Sequence, residues 1–474
     1  MTQPVRIEHD LLGDRAVPAD AYYGIHTLRA LENFSITGTP ISHYPDLVNA
    51  LACVKQAAAI ANAELGLLDD KLSVAIRRAC EEIREGKLRE EFVVDVIQGG
   101  AGTSTNMNAN EVICNRALEL LGHKRGEYQH LHPLDHVNLS QSTNDVYPTS
   151  IKLALNFLIR HLLAEMDSLK KSFSQKASEF ENVLKVGRTQ LQDAVPMTLG
   201  QEFSTYAVML GEDEQRLSEA AALVREINLG ATAIGTGINA HPDYAPLVTT
   251  RLSEVSGVPF ISAPNLVEAT QDAGAFVQLS GVLKRIAVKL SKVCNDLRLL
   301  SSGPRAGIGE ITLPAVQAGS SIMPGKVNPV IPEVVNQIAF EVIGNDMTVT
   351  MAAEAGQLQL NAFEPIIAHS LFEGIQHLTA GCRTLNERCV RGITANAERA
   401  RRLLDESTAL VTALTPILGY SRSSEIAREA LATGARVYDL VLSKGWMTRE
   451  QLDEVLRPEV LTKPHFSTIH KQRA

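Results

Sequence analysis

From about Thr149 onward, apolar residues recur at helical spacing through roughly 250 residues, and this periodicity restricts the fold more than any other feature of the chain. The amphipathic segments 149–182, 199–228, 266–301, 329–353 and 356–392 leave no room for an alternating α/β domain and imply an elongated bundle. Helices that are apolar on more than one face need further helices to cover them, so bundles from several copies of the chain are expected to associate. The expected fold is mainly α in three domains: 1–141, a central long-helix bundle over 142–396, and a small helical domain over 397–474. In the last of these, shorter charged helices and tight connections such as Gly419-Tyr420-Ser421 take over.

With a formal net charge of -9 and no basic stripe, the 474-residue chain is not expected to bind nucleic acid. Cys53, Cys80, Cys114, Cys294, Cys382 and Cys389 show neither metal-ligand spacing nor a disulfide framework, and read as reduced, mostly buried thiols. Charges stand where a signal peptide needs its apolar region, and no stretch is long and apolar enough to span a membrane. A cytoplasmic protein with no membrane partner is expected.

Polar clusters punctuate the helices. Gln98-Gly99-Gly100-Ala101-Gly102-Thr103-Ser104-Thr105-Asn106 precedes a helical pattern over 109–121, so amide N–H groups and hydroxyls converge where a helix begins, a setting that favours an anion. A nucleotide phosphate loop would need a following lysine and a preceding strand, and neither is legible. The loop 122–138 carries His123, His130, His132 and His136, of which the last three could converge on a metal beside Asp135; solvated histidines are the simpler reading, and no metal ligand is assigned. Ser142, Thr143, Asn144 and Asp145 are four capping residues in a row before another helix, more than capping requires. Gly187 to Pro196, including Thr189 and Gln190, reads as a polar turn between helices.

The densest chemistry lies in Gly319-Ser320-Ser321-Ile322-Met323-Pro324-Gly325-Lys326-Val327-Asn328-Pro329. Its glycines and prolines exclude a continuous helix and make an ordered, potentially mobile loop. Lys326 and Asn328, two apart in extended chain, can grip one anion together, and Asn328 before Pro329 suits a helix N-cap. Regions 102–106, 142–145 and 320–328 thus share one character: uncharged donors where helices begin, with a single lysine. A small ligand with two negative groups would use them best.

The eleven-residue string resembles the signature of the fumarase/aspartase superfamily, in the form found on its aspartate ammonia-lyase branch. The runs from Val17 to Ala30, Leu229 to Gly237 and Ser301 to Gly307 are similar to that family as well, and the resemblance covers essentially the whole chain. It implies a homotetramer with active sites composed from several subunits. It also implies that Ser320 is the catalytic base, that Ser321, Lys326 and Asn328 contact a substrate carboxylate, and that Arg29 lies near the site. Thr103, Ser142 and Thr143 join Ser321 as donors toward an enediolate, while Asn144, Thr189 and Gln190 offer oxygen acceptors to an ammonium. Fumarases of the superfamily have histidine where this chain has Gln190. A carboxamide cannot exchange protons as histidine does, so it suits a leaving group that departs already protonated. The expected reaction is therefore reversible anti elimination of ammonia from L-aspartate to fumarate. Fumarate hydration is the alternative, and a catalytically silent homologue the non-enzymatic one. No organic cofactor is implied; activation by a divalent cation such as Mg2+ is compatible with the branch, but no ligands can be placed.

Overall fold

The computed structural model describes residues 4–464. In chain order the elements begin with the hairpin β1 (Val5–Asp10) and β2 (Gly13–Pro18), followed by α1 (Ile25–Asn33), α2 (Pro45–Glu64), α3 (Asp70–Arg84) and α4 (Thr103–Leu120). Then come α5 (Thr143–Glu179), the hairpin β3 (Leu184–Thr189) and β4 (Gln192–Thr198), α6 (Leu199–Leu223), β5 (Glu226–Ile227), α7 (Tyr244–Ser256), β6 (Ile261–Ser262), α8 (Leu266–Ala269) and α9 (Gly274–Leu300). After β7 (Ile311–Thr312) follow α10 (Val330–Glu354), α11 (Glu364–Arg388), β8 (Thr394–Ala395) and the short helices α12 (Ala397–Glu406), α13 (Leu410–Leu418), α14 (Tyr420–Thr433), α15 (Val437–Ser443), α16 (Arg449–Val455) and α17 (Pro458–Leu461).

The fold is mainly α, as the periodicity implies, with only paired strands between the helices. The chain divides into two compact units. One takes the chain as far as Leu163, Gln215–Ala287 and Phe340–Thr379; the other takes Ala164–Glu214, Val288–Ala339 and the chain from Ala380. In the first, the alanine-rich α2 is buried along most of its length between α3 and α7, and α3 packs in turn on α4. In the second, Leu184 and Val186 of β3 enter a cluster with Leu404, Leu414, Ile426, Val441 and Leu452, each buried leucine contributing roughly 1.5–3 kcal/mol.

Breaks in the helical pattern have local causes. The apolar period over 46–86 is two helices, because Gly66 turns the chain at φ 71° and Asp69 caps α3 by accepting from Lys71 and Leu72 N–H. The segment 266–301 is also interrupted: Asn265 caps α8, and Asp272 then accepts from Gly274 N–H to start α9 afresh. The segment expected as helix from 356 begins only at Glu364, since Asn361 donates its carboxamide to the carbonyls of Ala352 and Ala353 at the end of α10. The largest departure is at 187–196. The chain there makes the antiparallel β3–β4 hairpin, not a turn between helices. Asn328 does not cap α10: its carboxamide donates to Gly319 O at 2.9 Å, and the helix opens at Val330.

Candidate functional site

In the first unit, two helix starts lie side by side. Gly100, Ala101 and Gly102 all adopt positive φ (91°, 54° and 88°), which swings the chain into α4; a Cβ on Gly102 would meet the Tyr147 ring at 2.2 Å. Thr103, the exposed first residue of α4, donates its hydroxyl to Gly100 O at 2.7 Å. One turn on, the buried Asn106 donates to Thr143 Oγ1 at 3.0 Å and to Asn138 Oδ1 at 3.2 Å, tying the start of α4 to that of α5. Asn138 Oδ1 also receives the fully buried Lys55 ammonium at 2.9 Å, whose pKa burial lowers to about 7.

Ser142 and Asp145 cap the start of α5 from both sides. Ser142 Oγ accepts from Asn144 N–H at 3.2 Å and Asp145 Oδ1 accepts from Ser142 N–H at 3.0 Å. The second Asp145 oxygen accepts from Gly230 and Thr232 N–H at 3.1 and 2.9 Å, so one buried carboxylate fixes both the helix start and the loop facing it. Desolvation raises its pKa to about 6, against the lowering effect of those amides. Asn144 gives its amide to Ala233 O at 2.7 Å, which fixes the carboxamide and leaves its oxygen without a hydrogen bond among the described residues. Ser140, Gln141, Ser142, Thr232, Ala233, Ile238 and Asn239 line a cavity of about 190 Å³ beside these groups.

The second unit holds the remaining candidates. Ser320 Oγ accepts two backbone N–H groups, Met323 at 3.0 Å and Ile322 at 3.2 Å. The neck of the loop is closed by Gly319 N–H on Lys326 O at 2.8 Å, together with the Asn328 carboxamide on Gly319 O. A Cβ at position 319 would come within 2.6 Å of Lys326 O. Ser321 and Lys326 are exposed, and the Lys326 ammonium makes no ion pair among the described residues. Thr189 and Gln190 are exposed at the tip of the β3–β4 hairpin, where Gln190 and Leu191 both have positive φ (54° and 65°). Arg188, next to that tip, donates to the fully buried Glu310 at 2.9 Å.

Thr103, Ser142, Thr143 and Asn144 therefore belong to one unit, and Thr189, Gln190, Ser320, Ser321, Lys326 and Asn328 to the other. Arg29 is held in a two-pronged ion pair with Asp10, both contacts 2.7 Å, and also donates to Gly13 O. The histidine loop is arranged differently from the grouping considered from sequence. His132 Nδ1 accepts from the amides of Leu134 and Asp135, His136 Nδ1 accepts from His132 N–H, and His123, Glu127 and His130 are the ones that cluster. Asp145 and Asn106, which the sequence offers only as members of polar runs before helices, are supporting residues; Glu310, the supporting residue outside those runs, has no local signal.

The family model described as Lyase matches residues 13–344, and that of the fumarase C C-terminus matches 410–463. The chain is 61% identical over 464 residues to an aspartate ammonia-lyase of Pseudomonas fluorescens, covering 97% of each, and 53% identical to that of Escherichia coli strain K12 over 467 residues, covering 98% of each. Among solved structures, a fumarate lyase:delta crystallin from Brucella melitensis bound to cobalt superposes with a TM-score of 0.95 at 57% identity, over 97% of this chain and all of that one. A class II fumarase from Schistosoma mansoni superposes with a TM-score of 0.93 at 36% identity, over 98% of this chain and all of that one. The chain belongs to the fumarase/aspartase superfamily, and within it to the aspartate ammonia-lyase branch of carbon–nitrogen lyases.

Proposed function

We propose that this enzyme catalyses the reversible anti elimination of ammonia from L-aspartate to give fumarate. The observation that carries the mechanism is the pair of backbone N–H groups aimed at Ser320 Oγ, since a serine hydroxyl is a poor base until its alkoxide is stabilised. Ser320, as alkoxide, takes the proton from the carbon next to the side-chain carboxylate, whose electrons delocalise into an enediolate. These electrons then form the carbon–carbon double bond as the C–N bond breaks, and the protonated amino group leaves as ammonia with the bonding pair. Ser321, Lys326 and Asn328 hold that carboxylate; Ser142 and Thr143 donate to the developing charge, each preorganised donor worth roughly 3 kcal/mol, and Thr103 joins them once its hydroxyl turns from Gly100 O to the substrate. Asn144, whose carboxamide oxygen takes no hydrogen bond among the described residues, accepts from the ammonium with Thr189 and Gln190. The reading needs no cofactor for the chemistry, with Mg2+ at most an activator.

A homotetramer with composite sites is part of the same proposal. Its support is α10, where Phe340, Met347 and Met351 lie on one helical face and are each more than 60% exposed in the single chain. Among the described residues no helix is long and apolar enough to cross a membrane, and a cytoplasmic location is proposed with the rest. The test is the ultraviolet absorbance of fumarate. Purified enzyme is expected to produce it from L-aspartate and to consume it with ammonia. Rapid hydration of fumarate with no action on aspartate would install the hydratase reading instead, and no reaction in either assay the silent homologue.

A further inference from the structure

The β3–β4 hairpin is a strained element on an unusual support. A two-residue turn with both φ positive ordinarily uses Asn-Gly or a similar pair, and placing Gln190 and Leu191 there strains both residues. A lone two-stranded hairpin has little capacity to hold such a turn. The register also slips between Val186 and Arg188, and Gly187 at the slip lies so close to β4 that a Cβ would come within 2.9 Å of Val195 O. The slip is two steps on β3, from Val186 to Arg188, against three on β4, from Pro196 to Asp193, so the extra residue lies in β4. Beside it, both Lys185 and Arg188 of β3 reach one carboxylate: Glu310, fully buried, takes Arg188 at 2.9 Å on Oε1 and Lys185 at 3.3 Å on Oε2. Lys185 also bonds Glu202 of α6. Glu310 is itself immobilised, because its N–H donates to Leu300 O and its carbonyl accepts from Asn396 N–H. One residue later the chain enters β7, paired with β8, and then runs on to the Ser320 loop.

We infer that Glu310 is a positioning residue that, through Arg188, sets the hairpin tip in the geometry that receives the amino group, and so governs how tightly the enzyme binds ammonia. The inference rests on the proposed deamination. A buried carboxylate between two cations is worth this structural outlay when the tip it orients must meet a ligand at fixed distance and angle. Removing the carboxylate leaves Lys185 and Arg188 without their common partner and frees the turn to relax. The carboxylate ends of the substrate, assigned to other residues, are untouched by that relaxation.

The test is the reverse reaction, with KM for ammonia and for fumarate measured separately for wild type, Glu310→Gln and Arg188→Lys, alongside thermal unfolding and oligomer size. The expected result is a rise of at least tenfold in the ammonia KM with less than twofold change in the fumarate KM. Arg188→Lys keeps the charge but not the planar fork, and it carries the test if Glu310→Gln fails to fold. An unchanged ammonia KM, or a parallel rise in both KM values, overturns the inference. A wild-type enzyme that does not add ammonia to fumarate overturns the deamination reading and this inference with it, an outcome visible before any variant is made.

Discussion

Ser142 and Ser320 are both hydroxyls whose oxygens accept backbone amides, yet they are mounted in opposite ways. Ser142 opens a 37-residue helix, accepts a single amide, and is locked from behind by Asp145, which also pins the loop at 230–232. Ser320 sits in a loop whose following residues from Ser321 to Val327 are exposed, and it draws both of its amides from the residues immediately after it. The first arrangement fixes a donor relative to a whole domain. The second gathers two amides onto the oxygen from within the loop itself, so those bonds stay with the serine wherever the loop sits, an arrangement suited to the proposed base.

The difference makes its largest prediction at the two serines themselves. Ser320→Ala removes the proposed base, and kcat for aspartate should fall by about 10²–10⁴-fold with fold and oligomer intact. Ser142→Ala removes one donor and one cap, so a smaller loss and a measurable drop in Tm are expected, the cap alone being worth about 1 kcal/mol. Fumarate release followed in the ultraviolet, with thermal unfolding alongside, checks both. Equal losses of activity in the two variants would erase the distinction.

Asp145 tests the rigid side. In Asp145→Asn one oxygen becomes an amide that must face either Ser142 N–H or the pair at Gly230 and Thr232, leaving buried donors unpaired at about 1–3 kcal/mol. Denaturant unfolding should show that loss at neutral pH, with a drop in kcat/KM. The pH dependence has a definite sign. Asp145 is raised in the folded chain from 3.8 to about 6, so between these values the fold holds a proton that the unfolded chain has released. Its contribution to stability is therefore greatest below about pH 4 and shrinks as pH rises through 6, by up to about 3 kcal/mol at 1.36 kcal/mol per pKa unit. The gap in unfolding free energy between wild type and the non-titrating Asn variant should narrow over that window. A gap that widens with pH would show that the three amides outweigh desolvation and that the carboxylate is held ionised.

How much of this was legible in the sequence follows the range of the interactions involved. The long helices were readable because their period is local, and the signature loop because its glycines, prolines and polar groups are contiguous. The start of α5 was read as a cluster of caps, which it is, but the contacts of Asp145 with residues 85 and 87 positions away have no expression in nearby sequence. Arg188 and Glu310 are 122 residues apart. The β3–β4 hairpin was missed for a different reason: Gln190-Leu191 carries none of the Asn or Gly that normally announces a two-residue turn. What the sequence concealed is therefore the support beneath the candidate groups, and concealment was deepest where backbone strain overrides residue preference.

That strain yields the smallest prediction, and it bears on whether the hairpin belongs with the rigid helix start or with the loop. Leu191 is exposed and sits at φ 65°, where only glycine escapes the Cβ penalty. Leu191→Gly relieves the clash but gives the unfolded chain more freedom, so a net gain of up to about 1 kcal/mol in unfolding free energy is expected. If the turn is held by Glu310 as firmly as Ser142 is held by Asp145, the relieved hairpin keeps its shape and the ammonia KM stays within twofold of wild type. If that KM rises while stability rises, the tip owes its geometry to the leucine's own constraint, and the hairpin is a compliant element closer in kind to the Ser320 loop.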